Sequence, residues 1–134
     1  MTATVTAASV RPLVDELVAL VQQGEILEAF DRFYADDVVM QENRKAPTAG
    51  KAANRVREEQ FVAYVKEVHT NVATAVAVEG EHAFITWTLD FTGVDGTRLH
   101  YEQVAHQVWR DGQIVAERFY YDPASLVTIG GFTA

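Results

Sequence analysis

The strongest constraint on the fold of this 134-residue chain is the pair Asp111-Gly112, which stands between two long runs of β-favouring residues. An Asp-Gly pair suits the tight type I′ turn, because both central positions of that turn need positive φ angles. The runs 98–109 and 114–122 therefore predict a β-hairpin near the end of the chain.

The two faces of this hairpin differ in composition. Side chains alternate between the faces of a strand, and the odd-numbered positions carry most of the aromatic bulk, so we predict that they point inward. The same face holds Gln103, Gln107 and Glu117, which an ordinary core leaves out because each buried polar group needs a hydrogen-bond partner. This mixture is typical of a pocket wall. A register slip of one residue would bring Arg118 inward in place of Glu117.

Three stretches with the apolar spacing of helices precede the strands. The first is capped by Ser9 and ends at Gly24, the second covers 25–35, and the third follows Thr48 and extends to about Val68. The third helix is predicted to turn five side chains toward the core: Val56, Phe61, Tyr64, Val65 and Val68.

At Asn71 the spacing of apolar residues changes from 3.6 to 2, which predicts strands. We expect strands over 72–78 and 84–91, in addition to a short buried strand at 38–40. In the strand at 84–91 the odd-numbered residues form the apolar face. Three helices followed by strands joined by tight turns indicate an α+β fold with an antiparallel sheet.

The composition narrows the function. A chain of this length forms one domain, 1–134, in which 1–8 is expected to be a loose tail. The net charge of -8 argues against nucleic acid and anionic membrane surfaces as partners. The absence of cysteine excludes disulfides, thiolate metal sites and a cysteine nucleophile. We find no membrane-spanning run or signal peptide and expect a cytoplasmic protein that uses no cofactor or metal.

Two segments carry a resemblance to a known family: YADDVVMQEN at 34–43 and WRDGQIVAERFYYDPASL at 109–126. With the order of elements, they resemble the NTF2-like superfamily, and within it the SnoaL-like and ketosteroid-isomerase-like branch, over roughly 13–127. The resemblance implies a cone of three N-terminal helices packed on a strongly curved antiparallel sheet that encloses an apolar pocket. This fold hosts isomerases, cyclases, epoxide hydrolases, dehydratases and non-catalytic binding domains, so it does not choose a function.

Residue by residue, the resemblance carries over little catalytic chemistry. Glu42 stands where ketosteroid isomerases have their general-base aspartate. Leu17 and Ala105 stand where they have hydrogen-bond donors for the substrate oxygen, and neither side chain donates a hydrogen bond. Phe119 occupies the place of the base aspartate of limonene-epoxide-hydrolase-like enzymes. Steroid isomerisation of that type is therefore not expected.

Glu117 and Glu42 are the candidate catalytic residues. Desolvation should raise the pKa of the deeper Glu117, so that it can donate a proton, while Glu42, beside Arg44 and Lys45, should stay ionised and act as a base. A solvated loop carboxylate at Glu42 and a structural hydrogen bond from Glu117 to a glutamine or tyrosine are the alternatives.

The predicted ligand-binding residues are aromatic and polar side chains of the expected pocket wall, and most of the aromatic ones also suit a core. They are Tyr34, Met40, Tyr64, Trp87, Tyr101, Gln103, Gln107, Phe119 and Tyr121. The favoured function is a cofactor-free enzyme doing acid–base chemistry, of isomerase, cyclase or hydratase type, on a small apolar molecule. The alternative is a non-catalytic ligand-binding or interaction domain.

The outward face of the hairpin predicts a homodimer rather than a metal site. His100 and His106 lie six residues apart on one strand, or about 20 Å, so they cannot share an ion. Val104, Val108 and Tyr120 on the same face suit a dimer formed through the outer sheet surface, and relatives with this resemblance commonly pair sheet to sheet.

Overall fold

Three helices pack on a curved, mixed β-sheet in a computed structural model that describes residues 7–125 and 127–129. The helices are α1 (Ala7–Gln22), α2 (Ile26–Phe33) and α3 (Lys51–Tyr64). The strands are β1 (Tyr34–Glu42), β2 (Thr48–Ala49), β3 (Val65–Glu79), β4 (His82–Gly93), β5 (Arg98–Arg110), β6 (Gln113–Tyr120) and β7 (Val127–Ile129). The predicted α+β fold, with three helices packed on a curved sheet, is confirmed.

The sheet has the order β2-β1-β6-β5-β4-β3, and β7 pairs with the beginning of β5. All pairs are antiparallel except β1 with β6, which run in parallel and place Met40 opposite Glu117. The expectation of a purely antiparallel sheet was therefore wrong at this one pair. The long connection through α3 and four strands lets β1 and β6 point the same way, which a short turn cannot do.

The hairpin of β5 and β6 forms as predicted. Asp111 and Gly112 have φ angles of 52° and 78°, as a type I′ turn requires. A β-bulge between Val108 and Trp109 shifts the register, so that both Ile114 and Glu117 are buried although they are three residues apart. Gln107 pairs directly with Glu117, and the odd-numbered face of β5 points inward.

The hydrophobic core lies between α1, α2 and the inner face of β4, β5 and β6. Its largest fully buried side chains include Trp109, Phe30 and Ile85. Trp87 and Trp109 are buried as predicted. Phe61 and Tyr64, which were expected to be mostly buried, are only half-buried.

The third helix differs most from the prediction. It ends at Tyr64, because Val65 takes an extended backbone conformation and begins β3. Val56 and Val68 are 52% and 55% exposed, so the stripe predicted to face the core was wrong. Asn54 is its one buried residue within the described ranges, since this helix covers an open cavity rather than the core.

Several helix ends also shift. Ser9 lies inside α1, which begins at Ala7, so it does not cap that helix, and residues 7–8 of the predicted tail are helical while 1–6 lie outside the described residues. Gly50, rather than Thr48, precedes α3. No helix in the described ranges combines the length and apolar character needed to cross a membrane.

Candidate functional site

A cavity of about 650 Å³ lies between the inner face of the sheet and the three helices. Its wall is mostly apolar, with Leu17 and Val21 from α1, Phe61 from α3 and Trp87 from β4. Seven of the nine predicted ligand-binding residues line it: Tyr34, Met40, Trp87, Tyr101, Gln103, Gln107 and Phe119.

Tyr64 and Tyr121 are absent from the cavity wall. Tyr64 ends α3, and its hydroxyl donates a hydrogen bond to Asp95 in the turn after β4, at 2.9 Å. The hydroxyl of Tyr121 donates to Oε1 of Glu42 at 3.0 Å. Both hydroxyls are therefore engaged in contacts that fix neighbouring segments.

Glu117 lies deep in the molecule, 3% exposed, and forms the centre of a chain of hydrogen bonds. The Tyr34 hydroxyl donates to its Oε1, and Nε2 of Gln107 donates to its Oε2 at 2.7 Å. Nε1 of Trp109 in turn donates to Oε1 of Gln107 at 3.0 Å. The predicted inward register of Glu117 is confirmed, and its partners are a glutamine and a tyrosine.

The direction of this chain is fixed at one end. The indole N–H of Trp109 can only donate, so it holds the amide oxygen of Gln107 and turns the amide nitrogen toward Glu117. Oε2 of Glu117 must therefore act as an acceptor. A proton bound by Glu117 has to sit on Oε1, where the partner is Tyr34.

Electrostatics favour that proton near neutral pH. Burial raises the pKa of Glu117 to about 7, against the hydrogen bonds from Tyr34 and Gln107, which lower it; the nearby charge of Glu58 raises it further. Burial likewise raises the pKa of Tyr34 well above its ordinary value, so its phenol stays neutral.

The proton on Glu117 decides where Tyr34 directs its own. When Glu117 is ionised, the Tyr34 hydroxyl donates to it. When Glu117 is protonated, it donates to the Tyr34 oxygen, and the phenolic hydrogen must find another acceptor. Because Tyr34 lines the cavity, that acceptor can be a ligand oxygen.

Glu42 is the other predicted carboxylate, and it lies at the edge of the cavity with its side chain 34% exposed. Nη2 of Arg57 donates to its Oε2 at 2.7 Å, and the Tyr121 hydroxyl donates to its Oε1. Glu42 was expected to lie beside Arg44 and Lys45, but the cation that contacts its carboxylate is Arg57 of α3. Both of its oxygens are engaged by donors.

Glu58 is a further residue of the cavity wall, and it was not predicted from the sequence. Burial raises the pKa of its carboxyl to about 7, while the charge of Arg57 lowers it and that of Glu42 raises it. One signal was available, because Glu58 stands three and four residues before Phe61 and Val62, on one face of a helix. The charged run around it is more typical of a solvated face.

Within the described residues, no group of three or more histidine, aspartate or glutamate side chains is arranged to hold a metal ion. His100 contacts Asp90 at 3.5 Å, and His106 contacts His82 at 2.9 Å, so the two histidines have separate partners.

Comparison with known proteins agrees with this geometry. The profile of the family described as the SnoaL-like domain matches residues 8–121, which bears out the resemblance drawn from the sequence. No curated protein matches the chain in sequence.

Solved structures share the fold. A proposed SnoaL-like polyketide cyclase from Mesorhizobium loti is 25% identical, with a TM-score of 0.75 over 84% of this chain and 98% of that one. A LEH-like epoxide hydrolase from M. tuberculosis is 15% identical, with a TM-score of 0.71 over 86% and 84%. A proposed isomerase from Bacillus subtilis is 15% identical, with a TM-score of 0.69 over 84% and 86%.

Proposed function

This chain belongs to the SnoaL-like domain family, and we propose that it catalyses acid–base chemistry on a small, largely apolar molecule bound in the cavity. The reaction is of isomerase, cyclase or hydratase type and uses no cofactor. The observation that carries this proposal is the pair of Tyr34 and Glu117 at the cavity wall, in which a buried carboxyl with a pKa of about 7 controls a neutral phenol.

The chemistry of this pair supports proton donation to a ligand oxygen. A general acid or base works best when its pKa lies near the working pH, and burial provides that for Glu117. Tyr34 delivers the hydrogen bond to the ligand, and Glu117 supplies the proton behind it. A neutral ligand fits this wall, because an anion would be repelled by the carboxylates at the cavity.

One of the similar structures supports an enzyme, without choosing its reaction. The Mesorhizobium loti protein, which is 25% identical, is named as a proposed polyketide cyclase. The two structures at 15% identity support the shared fold alone.

Glu117→Gln tests the proposal. The amide oxygen of glutamine can accept from Gln107 while its nitrogen donates to Tyr34, so this variant mimics the protonated carboxyl and should fold normally. We expect carbon NMR of the glutamate carboxyls to show two titrations near pH 7, those of Glu117 and Glu58, and the variant should lose one of them. In a panel of small apolar ketones, enones and epoxides, any turnover by the wild type should fall about 10²-fold or more.

Two results would contradict the proposal: a Glu117 carboxyl that titrates near its ordinary pKa, or turnover that Glu117→Gln leaves unchanged.

The second candidate is a binding protein without catalysis. It is favoured by the observation that both oxygens of Glu117, and both of Glu42, already accept hydrogen bonds, as in a structural network. Ligand affinity without turnover, together with marked destabilisation by Glu117→Gln, would favour this candidate.

We also propose that the protein forms a homodimer through the outer face of the sheet. Phe84 and Tyr120 are 39% and 42% exposed there, beside Val104 on the central strand. Val104→Lys should dissociate the dimer, because it would bury an unpaired ammonium group. Val94→Lys is the control, since Val94 is 63% exposed in the turn after β4. A wild-type monomer at micromolar concentrations in sedimentation experiments would contradict this proposal.

A further inference from the structure

The third helix places the carboxyl group of Glu58 at the cavity wall. This carboxyl has no part in the Tyr34–Glu117 pair. Asn54, Glu58, Phe61 and Val62 all line the cavity, with the spacing of one helix face. Glu59, the next residue in sequence, lies on a different face, where it pairs with Arg55 at 3.4 Å. Glu58 therefore belongs to the cavity and not to the solvated surface of α3.

Glu58 differs from the other two carboxyls at the cavity in its partners. Glu42 and Glu117 each accept a hydrogen bond on both oxygens. Among residues 7–125 and 127–129, no side chain or backbone group donates a hydrogen bond to Glu58. A carboxylate that holds no donor keeps its lone pairs available, so Glu58 is the cavity carboxyl best able to accept a proton from a bound molecule.

The surroundings of Glu58 strengthen it as a base. Burial raises its pKa to about 7, and the charged groups that face it are Arg57 on its own helix, Glu42 on β1 and Glu117 on β6. Arg57 already donates to Glu42, so it does not neutralise Glu58 directly. A carboxylate with little hydration and no donor gains most from taking up a proton.

We propose that Glu58 is the proton acceptor of this cavity and that it removes a proton from carbon in a neutral, largely apolar ligand. This inference rests on the proposed function and names its base, in place of Glu42. The donor pair Tyr34 and Glu117 lines the same cavity, so one ligand can meet the base and the acid together.

A probe that needs only a base tests this without knowledge of the natural substrate. In 5-nitrobenzisoxazole, a base takes the proton from the ring C–H, and the electron pair of that bond completes a nitrile. The N–O bond breaks, and its electron pair leaves on the phenolate oxygen, which gives coloured 2-cyano-4-nitrophenolate. Glu58 ends the step protonated and returns its proton to water.

The full-length protein should open this ring faster than free acetate at equal concentration, and the rate should rise with pH through about 7, where Glu58 ionises. Glu58→Gln should lower the rate about 10²-fold, the typical contribution of a positioned base. The matched control is Glu59→Gln, which removes the same charge from the outer face of α3 and should leave the rate unchanged. Unfolding curves of all variants should overlay to show that each is folded.

Each alternative outcome has a distinct meaning. A rate no greater than that of acetate, or one that survives Glu58→Gln, overturns the assignment of Glu58 as the base. Loss of rate in Glu42→Gln alone would assign the base to Glu42 instead. The proposed function is judged separately by the titration of Glu117, so a failed ring opening with an intact titration near pH 7 rejects Glu58 without rejecting the Tyr34–Glu117 pair.

Discussion

The inner and outer faces of the β4–β6 sheet handle polar side chains in different ways. On the inner face Trp109, Gln107 and Glu117 form a continuous chain of hydrogen bonds that ends at Tyr34. On the outer face Nδ1 of His82 meets Nε2 of His106 at 2.9 Å, and the ring of Phe84 stacks on His106 at 4.5 Å between centroids. Each buried polar group on the inner face needs a protein partner, whereas an exposed polar group on the outer face can also hydrogen-bond to solvent.

The same physical cause has opposite consequences on the two faces. Burial favours the uncharged form of any titratable group. It raises the pKa of the Glu117 carboxyl on the inner face and, together with the charge of His82, lowers the pKa of the His106 imidazole on the outer face. Titration of Glu117 on the inner face should therefore lower the free energy of unfolding as pH rises. Titration of His106 on the outer face should lower it as pH falls.

Replacing Gln107 should give the largest effect and tests whether complete partnering matters inside. Gln107→Leu leaves the Trp109 N–H and Oε2 of Glu117 without partners. At about 1–3 kcal/mol for each unsatisfied buried group, the free energy of unfolding should fall by roughly 2–6 kcal/mol in urea titrations. Gln103→Leu is the control on the same face, because Gln103 makes no side-chain hydrogen bond within the described residues. Equal losses of stability in both variants would show that this chain of hydrogen bonds does not stabilise the fold.

The pH dependence of Glu117 should give the next largest effect. Its folded-state pKa of about 7 lies above the ordinary value of 4.5, so the folded protein holds the proton more tightly than the unfolded chain. Its stabilising contribution is complete below about pH 4.5 and is lost as pH rises through about 7, by on the order of 3 kcal/mol. The wild type should therefore lose stability relative to Glu117→Gln between pH 5 and 8. Parallel pH curves would contradict this.

The outer face should give the smallest effect, with the opposite sign. Because the pKa of His106 is lowered from 6.5, the folded protein binds its proton less readily than the unfolded chain. The contribution of His106 is present above pH 6.5 and is lost as pH falls below it. Thermal unfolding should show the wild type losing stability relative to His106→Gln on acidification, by less than the Glu117 effect because the imidazole is only half-buried. A loss of wild-type stability relative to His106→Gln as pH rises would contradict this prediction.

The sequence predicts those parts of this arrangement that depend on neighbouring residues. Asp111-Gly112 sets the hairpin, and strict alternation on β5 places Gln107 and Trp109 inside. The bulge after Val108 keeps Glu117 inside as well, although alternation through the turn does not account for the burial of Ile114. Local spacing therefore fixes most of the inner face.

The features that the sequence does not predict depend on contacts between residues far apart in the chain. Others depend on packing that the spacing of apolar residues does not indicate. Tyr34 was expected to bind ligand, but its bond to Glu117 follows from the parallel pairing of β1 with β6, which no local pattern encodes. The end of α3 at Tyr64 is set by pairing of Val65 with Gly93. Glu58 was missed because its charged neighbours suit a solvated helix, and the cavity it faces exists only in the folded molecule.

The bond between Tyr34 and Glu117 also has a consequence for the order of folding. It joins residues 83 positions apart, and one helix and four strands separate in sequence the two strands that carry them. Long loops carry a high entropic cost of closure, and contacts of this kind form late and slowly. A nascent chain that has not yet delivered β6 contains the helices and most of the cavity wall but lacks Glu117, so the Tyr34–Glu117 pair cannot form before the last long strand is made.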